Sequence, residues 1–593
     1  MGVPRLYPWI CKNFPHLIKH FQEGHFRMEV DNLYLDSNGL LHPEAQLIFN
    51  YGDNKKIKDD YGHLTYEEKR TKTFEKFFQD IEMLTKIVIP KKRLYIAIDG
   101  PAPLAKQSQQ RERRFSAIPA TGKSPVDETP KFSSTEISPG TIFEFELTKY
   151  LHTRIRKKMN NDPVWRNIEV IFSPPTCPGE GEHTCLDHMR ANKNAKNESN
   201  CIFGPDGDLI MLSLSAHLPN MFLFRQDLYN PGFYDILDFG KIRKELQKKI
   251  FRNNSFRGGQ INTHGDMVSN YGRDLNEISD DFMLIGFFVG NDFLPKIQMF
   301  TYLEDGLELM LSTYDKISKG GLVNLLTKNQ KIDHNSFIRF VEELARRENL
   351  YLLDQRKVEY SDPRFIDKTL LSCITQSKSG APSLNIELYR EKYYAKSDIV
   401  LDENGDSPNV RKMCLDYLRM IAWVFEYYVV TLPSWHDFYS WHYAPLMADL
   451  IETMKTLTPE EHKYVYEFKD KGEPSLPFIQ LLCVLPPSSS HLIPPAYAKL
   501  MTSKNSKLVK SGMYPKKFSV DYEGKIKEHM GVVLLPFVDI DLVKKEYEKV
   551  KAKKLKRNTH TRPESFVYNE KYTSKYTSDY GNIKNNHVVK SFL

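Results

Sequence analysis

Residues 1 to about 335 predict an α/β fold with a mainly parallel, twisted sheet flanked by helices, and residues 340–545 predict a second, mostly helical region. Three observations carry this. Short apolar, β-branched runs recur through the first region, each followed by a polar or amphipathic stretch, the alternation expected of βα units. Several of those runs end in, or lead quickly into, an acidic residue. Beyond residue 340 helix-like segments with dense aromatics take over, as in MIAWVFEYYVVTLPSWHDFYSWHYAPL at 420–446.

The runs follow in order. MEVDNLYLD ends in Asp36 and RLYIAIDG delivers Asp99. IEVIFS at 168–173 leads into PPTCPGEGEHTCLDH, where Glu180 and Glu182 stand two apart in a turn bracketed by Gly179 and Gly181. NCIFG repeats the design with Asp206 and Asp208, and MFLFR at 221–225 completes the series. FMLIGFFVG at 282–290 is cut off by Asn291-Asp292. Two polar interruptions, 116–138 and 252–274, read as surface insertions. The last stretch, 546–593, opens with the basic KKEYEKVKAKKLKR and reads as a solvated helix followed by a polar, Tyr-containing tail.

The carboxyl ends of parallel strands share one sheet edge, so acids placed there from distant sequence converge. Asp36, Asp99, Glu180, Glu182, Asp206, Asp208 and Asp292 are seven such candidates. Like charges that close would raise one another's pKa, and divalent cations resolve the conflict; magnesium or manganese suits an oxygen-rich donor set, and two ions suit seven carboxylates. Taken singly each strand-end acid also fits a helix cap or turn, but caps do not require pairs spaced by two. Cys177, His183, Cys185 and His188 can be drawn as a zinc site, although their spacing fits no common pattern. After Asp99, a helix over 104–115 would place Lys106, Gln110, Arg113 and Arg114 on one face, an arrangement suited to capturing a terminal phosphate.

Composition restricts the remaining classes. The net charge of +7 over 593 residues permits an anionic partner without requiring one. No apolar run reaches the roughly 18 residues of a membrane span, so a soluble protein is expected. The seven cysteines without a CxxC fit a reducing compartment, so a cytoplasmic location is expected, with the basic stretch 551–557 also compatible with the nucleus.

The motifs MGVPRLYPWI, DNLYLDSNGLLH, AIDGPAPLAKQSQQRERRF, SPGTIFE, PGEGEH, GPDGDLIMLSL and DDFMLIGFFVGNDFLP, with WVFEYY, SWHDFYSWHYAP, PFIQLLCVLPPSS and GVVLLPFVD later, resemble the XRN 5'-to-3' exoribonucleases. The resemblance implies a PIN/flap-nuclease-like core, a metal site built from the seven acids, and a 5'-monophosphate site at Lys106, Gln110, Arg113 and Arg114. It also implies that His42 stacks on a base and that single-stranded RNA is degraded processively to nucleoside 5'-monophosphates, inside a site enclosed by the second region. Decapping or RNA-delivery partners would supply the substrate. His529 stands where the family pattern has a stacking tryptophan, and Trp441 is the alternative aromatic. Two other readings are a structure-specific flap endonuclease on DNA, disfavoured by KIQMFTYLEDG after GNDFLP, and a catalytically weak RNA-binding scaffold.

Overall fold

The computed structural model describes residues 6–54, 60–117, 132–227, 230–250, 260–261, 267–268, 275–300, 303–319, 326–376, 380–552, 564–568 and 587–590. The chain forms two compact units, each assembled from separate segments. One contains 15–240, 472–515 and 536–593; the other contains 1–14, 241–471 and 516–535.

The first unit is built on a nine-stranded sheet. Its five central strands are parallel, in the order Met221–Gln226, Asn200–Phe203, Met28–Asp36, Val88–Ala97, Glu169–Ser173. All five runs expected as strands lie in them. Leu33, Tyr34, Leu35, Leu94, Ile96 and Phe172 are buried, as required of strands covered on both faces, and this is why the runs are continuously apolar and not alternating. Helices Tyr66–Ile87 and Ile142–Asn161 contribute Phe77, Ile81, Leu147 and Leu151 to the core. The first is started by a capping box between Thr65 and Glu68, the second by the Thr141 hydroxyl accepting from the Glu144 N–H.

Both sheet edges are antiparallel, so the sheet is mixed. Ile18–Gln22 pairs with Phe233–Asp238, which pairs with Met221–Gln226. At the other edge Glu564–Tyr568 pairs with Glu169–Ser173 and His587–Lys590 with Glu564–Tyr568. The final stretch therefore contains a helix, Ile540–Ala552, and two strands, Glu564–Tyr568 and the edge strand His587–Lys590, where a polar tail was expected. Most of the two insertions, including 118–131 and 269–274, lies outside the described residues.

Segment 472–515 joins the sheet unit through the back of helix Leu104–Ser116. Arg111 donates to the backbone carbonyls of Cys483 and Met513, Gln107 Nε2 donates to Ser475 Oγ at 3.2 Å, and the Ala102 N–H donates to Gln480 Oε1 at 2.7 Å. Residues 472–515, grouped by sequence with the second region, thus pack with the first, and 241–335 pack with the helical unit.

The helical unit centres on Pro408–Val429, whose Ser407 cap precedes Pro408 in the first turn. Trp423 is buried and donates to Ser434 O at 3.0 Å. The aromatic stretch expected to be helical through 446 leaves the helix at Val429 and runs irregularly to Leu446, because Pro433 and Pro445 lack the N–H that a continuing helix needs. Among the described residues no helix is long and apolar enough to cross a membrane.

Candidate active site

The four adjacent strands Asn200–Phe203, Met28–Asp36, Val88–Ala97 and Glu169–Ser173 bring six of the expected acids to one end of the sheet. Asp36 closes its strand, and Asp99 lies two residues past the next. Glu180 and Glu182 sit at the start of helix Gly181–Ala191, Asp206 precedes helix Asp208–Ser215, and Asp208 opens it. Acids in a first helical turn face the positive end of the helix dipole, which favours their placement there.

Two glycines make the convergence sterically feasible. A Cβ on Gly100 would stand 1.6 Å from Cys177 O, so only glycine lets the Asp99 loop meet the 177–179 loop. The two loops are then joined by Gly100 N–H to Gly179 O and Gly179 N–H to Pro101 O, both 2.9 Å. A Cβ on Gly181 would lie 3.0 Å from Asp36 Oδ1, and the Gly181 N–H donates to Asp99 Oδ1 at 2.7 Å. Asn38 Nδ2 holds the other oxygen of Asp99 at 2.7 Å.

Asp36, Glu180, Glu182 and Asp208 are at most 6% exposed. Burial, then the charges of Asp99, Asp206 and Asp208, holds the Asp36 carboxyl well above the usual range. Burial, then Glu180, Asp36 and Asp208, does the same to Glu182. Asp99 is raised by burial against the opposing Gly181 N–H and Lys106. One oxygen each from Asp36, Asp99 and Glu182 lie within 4.8 Å of one another, and so do ligand atoms of Glu180, Glu182 and His183. Such a crowd of buried oxygens, short of positive charge, is the donor set of a hard divalent cation. His183, kept neutral chiefly by burial, adds a nitrogen that the acid pattern did not reveal.

The zinc alternative is not assembled in this way. Neither group of close ligand atoms among the described residues contains a cysteine. Cys185 Sγ faces Leu35 O at 3.9 Å, and His188 Nδ1 faces the Tyr34 hydroxyl at 3.2 Å.

Helix Leu104–Ser116 forms as the sequence predicts and separates its faces. Gln107 and Arg111 are buried on the back, while Lys106, Gln110, Arg113 and Arg114 share the other side. Lys106 Nζ reaches Glu180 Oε2 at 2.6 Å, connecting the two sets of residues. Arg114 Nη2 donates to Ser138 Oγ at 2.7 Å, while its Nη1 and the Gln110 Oε1 are buried without a hydrogen-bond partner among the described residues. Burial, then Arg113, lowers Arg114 to about 9. His42 is lowered to about 4, first by burial and then by Arg113 and Arg114, so it belongs to this cationic surface as a neutral ring.

Asp292 and His529 belong to the other unit. Asp292 lies within a turn in which Asn291 Oδ1 accepts from Phe293 N–H at 2.9 Å and Leu294 N–H at 3.0 Å. His529 is exposed on the 3-10 turn Glu528–Met530, and Trp441 donates to Asp416 Oδ2 at 2.9 Å.

Comparison with known proteins gives matches over nearly the whole chain. The profile of the XRN 5'-3' exonuclease N-terminus matches residues 1–227, and that of the Xrn1 helical domain matches 272–371 and 375–592. The chain is 28% identical to 5'-3' exoribonuclease 1 of Schizosaccharomyces pombe, covering 98% of this chain and 51% of that protein. It is 29% identical to 5'-3' exoribonuclease 1 of Homo sapiens, covering 97% of this chain and 36% of that one. It is 27% identical to 5'-3' exoribonuclease 2 of Arabidopsis thaliana, covering 91% and 66%. The chain thus spans between about a third and two thirds of these relatives' lengths. Among solved structures, the catalytic core of Rad2 in complex with DNA substrate aligns over 78% of this chain and 98% of that one at 13% identity and a TM-score of 0.31, too low to bear on the fold.

Proposed function

The chain belongs to the XRN 5'-3' exonuclease family, and from that premise we propose that it degrades 5'-monophosphorylated single-stranded RNA from the 5' end, releasing nucleoside 5'-monophosphates. The observation that carries the reading is the 2.6 Å contact of Lys106 with Glu180, which sets a phosphate-capturing face directly against the acid cluster within one unit.

Lys106, Gln110, Arg113 and Arg114 hold the terminal phosphate. The buried Arg114 Nη1, which has no partner among the described residues, is available to donate to it. His42, neutral at physiological pH, stacks on an unpaired base without choosing a sequence. With the terminal phosphate fixed, the first internucleotide phosphate is the one presented to the acids. Water adds to its phosphorus, the bond to the 3' oxygen of the first nucleotide breaks, and that oxygen leaves with a proton. The remaining RNA then carries a new 5'-monophosphate. Each cut therefore regenerates the end that the cationic face recognises, which is the chemical basis for processive action.

Asp36, Asp99, Glu180, Glu182, Asp206 and Asp208 would hold magnesium or manganese, two ions suiting so many carboxylates. When bound, such ions polarise water and stabilise negative charge on the reacting phosphate. His529, exposed on the helical unit, offers a further stacking surface for unpaired bases. Degradation of end-labelled RNAs bearing a 5'-monophosphate, triphosphate, cap or hydroxyl, with magnesium or with chelator, tests the reading. Equal decay of all four ends, or decay unaffected by chelator, would overturn it.

A further inference from the structure

Beside helix Ile142–Asn161 the sheet unit contains a cavity of about 460 Å³, a volume in the range of small-molecule sites. Its walls come from the start of that helix, from Pro175 and Thr176 in the loop after strand Glu169–Ser173, and from residues 477–478 and 491–495, all of one unit. The walls are mainly apolar. Pro175, Pro477 and Ile493 are buried, Phe145 and Phe478 are half-buried, and Ile142 is 73% exposed. The turn before the helix closes against Pro477 because Gly140 adopts φ +97°, and a Cβ there would stand 2.8 Å from Pro477 Cβ.

Two of the polar groups in the lining are already engaged. The Thr141 hydroxyl donates to Glu136 O at 2.6 Å and the Thr148 hydroxyl to Glu144 O at 2.8 Å, so neither has a proton left for a ligand. Glu144 differs. It is 2% exposed, and its Oε2 is buried with no hydrogen-bond partner among the described residues. A buried carboxyl without a partner is costly in either protonation state. Burial, then the charge of Asp99, pushes it up to about 8, the response of a carboxyl that has no cation beside it. The lining includes a second carboxyl, Glu146, and an exposed ring, His491, but no lysine or arginine. Lys149, which meets Glu146 at 3.5 Å, is not part of the lining.

We infer that this cavity binds a small molecule with an apolar body and one amine, the ammonium pairing with Glu144 and the body covering Phe145, Phe478 and Ile493. A cation beside Glu144 satisfies its free oxygen and favours its ionised form, while the walls take the apolar part out of water. An anion would meet two acids, and a wholly apolar ligand would leave the carboxyl unsatisfied. The inference does not rest on the exoribonuclease reading, because none of the residues given a role there lines the cavity.

The experiment titrates the full chain calorimetrically at pH 7, without RNA, using two amines, tryptamine and hexylamine, and their neutral counterparts, tryptophol and hexanol. Parent, Glu144→Gln and Phe478→Ala proteins are compared. At least one amine is expected to bind the parent one to one and roughly tenfold or more tighter than its alcohol, the margin of a charge-assisted hydrogen bond. Glu144→Gln should erase that margin while leaving the alcohol's affinity nearly unchanged, and Phe478→Ala should weaken amine and alcohol alike. Equal affinity of amine and alcohol for the parent would overturn the proposal, as would the absence of saturable binding at millimolar amine. Amine taken up instead by the clustered acids would be displaced by magnesium and indifferent to both substitutions, and that result also overturns it.

Discussion

Lys106 Nζ lies 2.6 Å from Glu180 Oε2, so one residue of helix Leu104–Ser116 is ion-paired to one of the clustered acids. Its charge also opposes the raised pKa of Asp36, Asp99 and Glu182. Without Lys106 those carboxyls would hold their protons to higher pH. Lys106→Met is therefore expected to move the acid limb of the pH–rate profile upward by roughly one unit, about 1.4 kcal/mol of lost stabilisation of the ionised form. Single-turnover rates on 5'-hydroxyl RNA measure this without the terminal phosphate, and an unmoved acid limb would show that Lys106 acts on the phosphate alone.

Asp206→Asn and Asp208→Asn each remove a charge that the buried Asp36 senses, Asp206 from an exposed position and Asp208 from a buried one, while keeping side-chain size. Turnover should fall at least about a hundredfold with RNA affinity nearly intact, since charge stabilisation at such a site is worth several kcal/mol. Near-normal turnover in both variants would remove these acids from the chemistry.

Glu144 makes the metal-free protein sensitive to alkali. Burial, with a further contribution from Asp99, pushes its carboxyl up to about 8. A group whose folded pKa is raised stabilises the fold fully below its unfolded value, near about 4.3, and that contribution is lost as pH rises through the folded value. In chelator the parent should therefore lose stability between about pH 4.5 and 8, by roughly 4 to 5 kcal/mol from this group. Glu144→Gln should flatten the curve and melt higher at pH 8. Parallel melting curves across that range would show that Glu144 ionises as readily folded as unfolded.

Arg113→Ala with Arg114→Ala should abolish the preference for a 5'-monophosphate over a 5'-hydroxyl, each charge-assisted bond being worth about 1.5 to 3 kcal/mol. Competition between two differently labelled RNAs reads the ratio directly. Persistence of the preference would place recognition of the end on other residues.

The acids were legible because an apolar run that stops at a charge marks both a strand and its carboxyl end, and the DNLYLD run does this for Asp36. The spacing of Lys106, Gln110, Arg113 and Arg114 was legible as helical periodicity. Asn38 and Gly181, which orient Asp99, could not be read in this way because their roles depend on contacts across 61 and 82 residues. The edge strand Ile18–Gln22 was missed for a different reason. Only Phe21 of its five residues is buried, so its sequence has no apolar run to recognise. Nor could the joining of 472–515 to the sheet unit be seen locally, since it is fixed by Arg111 bonding to carbonyls more than 370 residues away.

The two histidines offered as stacking surfaces differ in their surroundings. His42 is embedded among cations and lowered to about 4, so its ring stays neutral from about pH 5 upward and its grip on a base should not vary with pH there. His529 is exposed on a short turn and offers less π surface than an indole. Base–aromatic stacking is worth roughly 1 to 3 kcal/mol per base, and a wall that holds RNA between cuts affects release more than the cut itself. His529→Trp is therefore expected to increase the number of nucleotides removed per encounter at an unchanged single-turnover rate, and His529→Ala to reduce it. His42→Ala, by contrast, should weaken binding of the first nucleotides, and His42→Phe should restore it. Processivity measured with a heparin trap separates the roles: if both His529 variants match the parent, the second stacking surface is another aromatic, and Trp441→Ala becomes the variant that shortens each run.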